Sequence, residues 1–125
     1  MIINTDKAPK AIGPYSQACM TEDIIYTSGQ LPINPETGQF IEGGIKEQTR
    51  QALKNVKAIL ESIDLDMDKV LKTTVFLSDI NNFGSMNEVY GEFFKDGQYP
   101  ARSAIEVSKL PMNALVEIEV VAARS

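Results

Sequence analysis

The sequence predicts an α+β fold in which a mixed β-sheet carries two helices on one face. Residues 45–63 and 83–94 repeat apolar side chains at helical spacing, and several shorter runs are rich in β-branched residues or alternate in polarity. With 125 residues, of which 43% are hydrophobic, the chain is long enough to bury a core. Chains of this length normally form one domain, here residues 1–125.

The first predicted elements are two strands that pair as a hairpin. Residues 12–15, Ile-Gly-Pro-Tyr, are a turn signal, and the strand at 16–20 follows them. A polar link at 21–23 separates that strand from the β-branched run at 24–28, which predicts the hairpin. Residues 29–44 contain prolines and glycines that interrupt regular structure.

Two amphipathic helices and an intervening strand are predicted next. In residues 45–63 the apolar side chains form one stripe, which predicts a helix of about five turns packed on the sheet. Residues 70–77 are strand-like by their β-branched content. The second helix, at 83–94, is expected to be closed by Gly97, and its aromatic and methionine side chains are assigned to the core.

Two strands, at 102–107 and 114–123, complete the predicted sheet. The second contains Glu117 and Glu119 on one face, among apolar residues. Its other face is wholly apolar and consists of Val116, Ile118, Val120 and Ala122. Helices cover only one face of the sheet, so the second side of this strand needs a cover. A partner subunit is the simplest cover.

The residue types that are absent exclude several kinds of active site. The chain contains no histidine and no tryptophan. Pairs of serine or cysteine with histidine, histidine-ligated zinc and an imidazole general base are therefore excluded. Because Cys19 is the only cysteine, an intrachain disulfide is excluded, which fits a reduced cytosolic setting. We expect Cys19 to be a small buried hydrophobic residue.

The charge balance argues against a nucleic acid as the partner. The net charge at pH 7 is -5, whereas binding to a phosphate backbone requires clustered cations.

Residues 1–6 lack the long apolar region of a signal peptide, and no apolar run is as long as a membrane span. We therefore expect a cytoplasmic protein that binds neither nucleic acid nor membranes.

Arg102 is the strongest candidate functional residue. It lies at the entrance of a predicted strand, two residues after Pro100, which cannot donate a ladder hydrogen bond and holds the preceding residue in extended geometry. We expect its guanidinium to be aimed rather than free in solvent. The planar fork of donors suits a small carboxylate bound in bidentate fashion.

Six short motifs, spread over nearly the whole chain, resemble one protein family. They are Ile12-Gly13-Pro14-Tyr15-Ser16-Gln17, Thr27-Ser28-Gly29-Gln30-Leu31-Pro32, Lys72-Thr73-Thr74-Val75-Phe76-Leu77, Asn87-Glu88-Val89-Tyr90, Pro100-Ala101-Arg102-Ser103 and Val116-Glu117-Ile118-Glu119. Together they are similar to the RidA/YjgF family of reactive intermediate (enamine/imine) deaminases. The resemblance implies a chorismate-mutase-like α+β fold and a homotrimer with clefts between subunits.

The resemblance also implies an activity. Members hydrolyse 2-iminobutanoate and 2-iminopropanoate, the tautomers of enamines such as 2-aminoacrylate released by PLP-dependent dehydratases, to 2-keto acids and ammonia. Arg102 would clamp the substrate carboxylate, and Glu117, expected to face inward beside Arg102, would orient a water and act as a general base. No metal or cofactor is then required. The matches to substrate-binding positions are Tyr15, Ser28, Gly29 and Asn87.

Some interpretations remain open at this point. Asn87 is equally well explained as an exposed polar helix residue. Many relatives have a cysteine two residues after the arginine, whereas this chain has Ala104, which makes thiol chemistry there doubtful. One alternative function is a trimer that binds a keto acid or related metabolite without turnover. Another is an RNA-directed activity or translation inhibition, which the acidic balance disfavours.

Overall fold

The structure, a computed structural model that describes residues 1–125, is a six-stranded mixed sheet with two helices across one face. In chain order the elements are β1 (Ile2–Ile3), β2 (Ala18–Met20), β3 (Ile24–Thr27), α1 (Ile45–Glu61), β4 (Val70–Leu77), α2 (Phe83–Gly91), β5 (Ala101–Glu106) and β6 (Val116–Ala123). The strand order is β1-β2-β3-β6-β4-β5. Neighbours are antiparallel except β4 and β5, which are parallel and connected through α2. The predicted α+β arrangement is confirmed.

Helix α1 forms one wall of the core. It begins after Gly44, whose backbone N–H donates a 2.8 Å hydrogen bond to the Glu47 carboxylate. Its 17 residues confirm the predicted length of about five turns, although Ile63 lies beyond its end. Asp64 adopts a left-handed φ of 62° and turns the chain away there. The fully buried residues of its apolar stripe are Ala52, Leu53, Val56, Ile59 and Leu60.

Helix α2 is shorter than predicted. It begins at Phe83, as expected, but ends at Gly91, so the prediction that Gly97 closes it is wrong. Beyond Gly91 the chain continues in turns, from which the Phe94 ring still packs on Tyr90 at 4.9 Å between centroids. The helix is predicted too long because Phe93 and Phe94, which pack on the core from this turn, continue the apolar pattern past the end of α2. Neither helix is long and apolar enough to cross a membrane.

The N-terminal strands confirm one prediction and correct another. β2 and β3 form the expected hairpin, in which Ala18 lies opposite Thr27. β1 adds to the edge of β2, and its two residues are too few to produce a periodic pattern in the sequence. The expectation that Cys19 is buried is wrong. Ala18 and Met20 point into the core, so Cys19 between them lies on the opposite face and is exposed.

The two faces of the sheet differ in their cover. The face under α1 and α2, here the helix-covered face, buries alternate residues of β6 from Val116 to Ala122, as the alternation predicts. The other side, here the open face, has no helix packed against it. It carries Tyr26 and Ile105, which are 56% and 47% exposed, and the half-buried Phe76.

Candidate active site

Arg102 lies near the start of β5 and is held by side chains of α2. Its strand position is opposite Thr73 of β4, on the helix-covered face. Its Nη1 donates a 2.6 Å hydrogen bond to Oδ1 of Asn87. Its Cζ lies 5.2 Å from the ring centroid of Phe83 and 4.8 Å from that of Tyr90. The guanidinium is therefore fixed by one amide and two aromatic rings.

The Arg102 guanidinium borders an open cleft of about 510 Å³. The cleft is lined by Asn87, Tyr90, Gly91, Tyr99, Pro100 and Arg102. The structure contains two ion pairs, Lys46 with Glu88 and Arg50 with Glu92, and neither involves Arg102. A cation that lacks a carboxylate partner and lies at the wall of a cleft is suited to bind an anion.

Glu117 lies on β6 on the open face, where it is half-buried. Burial raises the pKa of this carboxyl above its ordinary value, and the negative charge of Glu119 raises it further. Gly29 lies directly against it, because a Cβ at residue 29 would be 2.3 Å from Oε2 of Glu117. The backbone of Gln30 exchanges hydrogen bonds of 2.7 and 3.1 Å with Ile118, which holds Gly29 in this place.

Ser28 and Tyr15 differ in what they offer a ligand. The Ser28 hydroxyl donates a 2.6 Å hydrogen bond to the carbonyl of Ser16, so only its oxygen lone pairs remain available. The Tyr15 hydroxyl accepts a 3.3 Å hydrogen bond from the backbone N–H of Ile12 and keeps its own proton for donation. Tyr15 is 53% exposed, so its ring is accessible.

The structure does not bring Arg102 and Glu117 together within one chain. Thr73 lies between Arg102 and Val120 in the sheet register, so these three side chains share the helix-covered face. Glu117 is opposite Phe76, three residues further along β4, and belongs to the open face. The expectation of an inward-facing Glu117 beside Arg102 is wrong for a single chain, because the sheet separates the two side chains.

Sequence reasoning missed the role of Thr73, Phe83 and Tyr90 around the arginine. The apolar pattern of α2 predicts only a core position for Phe83 and Tyr90. Their spacing with Asn87, at i, i+4 and i+7, indicates that all three lie on one side of α2. That this side faces Arg102 follows from the parallel pairing of β4 with β5, which no local pattern predicts.

Other parts of the chain lack this combination of features. A groove of about 530 Å³ beside α1 contains none of the predicted site residues, and its walls carry four basic and four acidic side chains. No group of three or more acidic or cysteine side chains is arranged to hold a metal ion. Ala104, two residues after Arg102, lies half-buried against the core, and alanine has no thiol.

The fold and the site geometry describe a small α+β protein with an arginine at the wall of a cleft on one face of its sheet and a half-buried carboxylate on the other. The family model described as endoribonuclease L-PSP matches residues 5–124. The chain therefore belongs to this family, which includes the YjgF/RidA proteins, as its motifs predict.

Relatives with similar sequences include two curated proteins. The RutC family protein of Pyrococcus abyssi is 51% identical over 121 residues, which cover 97% of this chain and 94% of that protein. Human 2-iminobutanoate/2-iminopropanoate deaminase is 49% identical over 121 residues, which cover 97% of this chain and 88% of that protein.

Solved structures with the same fold include two from E. coli. The YjgF gene product is 44% identical with a TM-score of 0.95, and the match covers 100% of this chain and 99% of the other. TdcF with bound serine is 43% identical with a TM-score of 0.94 and the same coverage. The mixed sheet with two helices is thus shared along the full length of the chain.

Proposed function

We propose that this protein hydrolyses reactive 2-imino acids, 2-iminobutanoate and 2-iminopropanoate, to 2-keto acids and ammonia without a cofactor. The observation that carries the proposal is Arg102, a fixed guanidinium without a carboxylate partner at the wall of a cleft. These substrates share a carboxylate next to the C=N carbon, and a bidentate guanidinium fits that group. The 49% identity to the human deaminase supports the same substrates.

In the proposed reaction Arg102 holds the carboxylate and Glu117 activates a water. The water oxygen bonds to the imine carbon while Glu117 accepts one proton and passes it to the nitrogen. The hydroxyl proton then follows the same route, the C–N bond breaks, and the keto group forms as ammonia leaves. Burial raises the pKa of Glu117, which strengthens this carboxylate as a base.

The proposed site requires a second copy of the chain. Arg102 and Glu117 lie on opposite faces of the sheet, so a small ligand that touches both must lie between subunits. The exposed apolar residues of the open face, Tyr26 and Ile105, support association through that face. We propose a homotrimer with three clefts, each formed by Arg102 of one subunit and Glu117 of the next. Sedimentation should show one species near three times 13.8 kDa.

The remaining predicted residues divide between the two sides of the proposed cleft. Asn87 accepts a hydrogen bond from Arg102 on one side, whereas Gly29 lies against Glu117 on the other. We propose that the Gly29 backbone approaches the substrate, that Ser28 accepts a hydrogen bond from it and that Tyr15 forms a wall. TdcF binds serine, which also has a carboxylate, and this supports a small carboxylate ligand. The proposed setting is the cytoplasm, with small molecules rather than nucleic acid or membranes as partners.

The test generates 2-aminoacrylate with a dehydratase and follows the release of 2-keto acid and ammonia with and without this protein. We expect release faster than spontaneous hydrolysis, and loss of most of that acceleration in Glu117→Gln. Glu119→Gln, on the same face of the same strand, is the matched control. A wild-type protein that binds a 2-keto acid but does not accelerate release would instead be a metabolite-binding trimer.

A further inference from the structure

We propose that Phe83, Asn87 and Tyr90, with Thr73 behind Tyr90, form a neutral cage that fixes Arg102 without compensating its charge. The inference rests on the proposed function, because the cage matters through the carboxylate that Arg102 binds. The four are positioning residues: they act on the substrate through the arginine and set how strongly it attracts an anion.

The first observation is that every side chain fixing the guanidinium is uncharged. The Phe83 and Tyr90 rings lie within the range of about 6 Å at which a ring face attracts a cation. Asn87 accepts one N–H of Nη1 at 2.6 Å. A guanidinium has five N–H donors, so others remain for the two oxygens of a ligand carboxylate.

The second observation is that the acidic residues next to this side of α2 are paired elsewhere. Glu88, which follows Asn87 in sequence, forms an ion pair with Lys46. Glu92, just past the helix end, forms one with Arg50 at 3.1 Å. An acidic partner for Arg102 would compete with the ligand carboxylate, so the amide at position 87 provides a hydrogen bond without that competition.

The third observation is a buried hydroxyl pair behind the cage. Thr73 is fully buried, and its Oγ1 lies 2.8 Å from the hydroxyl of Tyr90, which is 4% exposed. Thr73 is also the register partner of Arg102 on the neighbouring strand. The same β4 residue therefore fixes the ring and adjoins the arginine that the ring supports. Without the Thr73 hydroxyl, the Tyr90 hydroxyl would be buried without a partner, and the ring would be displaced.

The charge of the cage is tested with Asn87→Asp and Asn87→Ala. The probe is 2-oxobutanoate, a stable keto acid, and its Kd is measured by calorimetry. Aspartate keeps the hydrogen-bond acceptor but pairs with Arg102, so we expect Kd to rise about 10-fold or more. Alanine loses only the hydrogen bond, and we expect a rise of about 3- to 10-fold. If Asn87→Asp binds the probe better than Asn87→Ala, the cage need not be neutral and the proposal fails.

The support behind Tyr90 is tested with Thr73→Val, which removes the hydroxyl at nearly constant shape, and with Thr73→Ser, which retains it. We expect Thr73→Val to raise the Kd and KM by about 3- to 10-fold with a smaller change in kcat. The Arg102 Nε–H resonance should exchange faster with solvent, and Thr73→Ser should behave as the wild type. A Thr73→Val protein that melts earlier but keeps its KM and Arg102 exchange would show a purely structural role and overturn the proposal.

The two proposals fail in different ways. The exchange of Arg102 Nε–H needs neither ligand nor turnover, so it tests the cage even in a protein that deaminates nothing. Absence of deamination by the wild type would reject the proposed function, while faster exchange in Thr73→Val would still support the cage. If the wild type deaminates but the exchange rate of Arg102 Nε–H is the same in Thr73→Val and wild type, the proposed function is supported and the cage proposal is rejected.

Discussion

The two faces of the sheet surround the two charged groups of the candidate site, Arg102 and Glu117, with different environments. On the helix-covered face, neutral side chains surround Arg102 and leave its positive charge without a carboxylate partner. On the open face, burial and the neighbouring Glu119 raise the pKa of Glu117 and disfavour its charge. A clamp for carboxylates needs a positive charge that no other carboxylate neutralises, whereas a general base must hold a proton well. The difference thus matches the two roles proposed for these residues.

The same comparison separates packing from assembly. Alternate residues of β6 on the helix-covered face, such as Val116 and Ile118, are fully buried within one chain. On the open face Tyr26 and Ile105 remain about half exposed in a single chain, and the proposed trimer would bury them. We infer that the helix-covered face determines whether the chain folds and that the open face determines whether the site is complete.

The largest expected effect is the loss of activity in Arg102→Ala. Truncation of one partner of a charge-assisted bidentate pair in a partly desolvated cleft costs about 2 to 5 kcal/mol, so most deamination should disappear while the fold persists. Arg102→Lys keeps the charge but loses the planar fork, and a large part of the activity should go with it. The loss should be similar for every 2-imino acid, because the clamp contacts only their common carboxylate.

Mixed assemblies test whether Arg102 and Glu117 of each cleft come from different subunits. Arg102→Ala and Glu117→Gln chains, each nearly inactive alone, are refolded together in equal amounts. If each cleft takes its arginine and its glutamate from different subunits, about a quarter of the clefts regain both groups. About a quarter of the wild-type activity should therefore return. No recovery in trimers shown to be mixed would mean that one chain supplies both residues.

The second effect in size is that of Glu117→Gln on turnover. Glutamine preserves size and hydrogen bonding but cannot accept the proton, so kcat should fall by about 100-fold or more while 2-oxobutanoate binding largely persists. Glu119→Gln should retain most of its turnover, since it removes only the charge that adds to the raised pKa of Glu117. A silent Glu117→Gln beside a damaged Glu119→Gln would reverse the two assignments.

The sequence predicted the elements of this fold better than it predicted their relative placement. Periodicity located α1, β-branched content located β4, and strict alternation placed Glu117 and Val116 on different faces. The alternation of side chains along one strand does not determine which face of the sheet the helices cover. Nor does it reveal that β5 is parallel to β4, which brings Arg102 to the helix-covered face. The sequence therefore names the candidate site residues one by one, while their division between the two faces depends on long-range strand pairing.

A smaller effect on turnover is expected from Gly29→Ala. The new Cβ would come within 2.3 Å of Oε2 of Glu117, which is the movable end of a side chain, so the carboxylate should swing away at little cost in stability. We expect turnover to fall about 10-fold because a displaced base is less effective. Gly84→Ala is the control, since a Cβ there has open space around it. Equal activity of Gly29→Ala and wild type would show that the position of Glu117 is not critical.

The smallest expected effect is that of Glu117→Gln on stability, and its sign depends on pH. Folding raises the pKa of Glu117 above its value in the unfolded chain, so the folded state binds this proton more tightly. Its favourable contribution is complete below the ordinary glutamate pKa and is lost as pH rises through the folded pKa. Glutamine, which is always neutral, should therefore raise Tm at pH 7 and leave it unchanged well below pH 4. Thermal melts at both pH values decide the cause, because an equal gain at each would assign the effect to packing rather than to the buried charge.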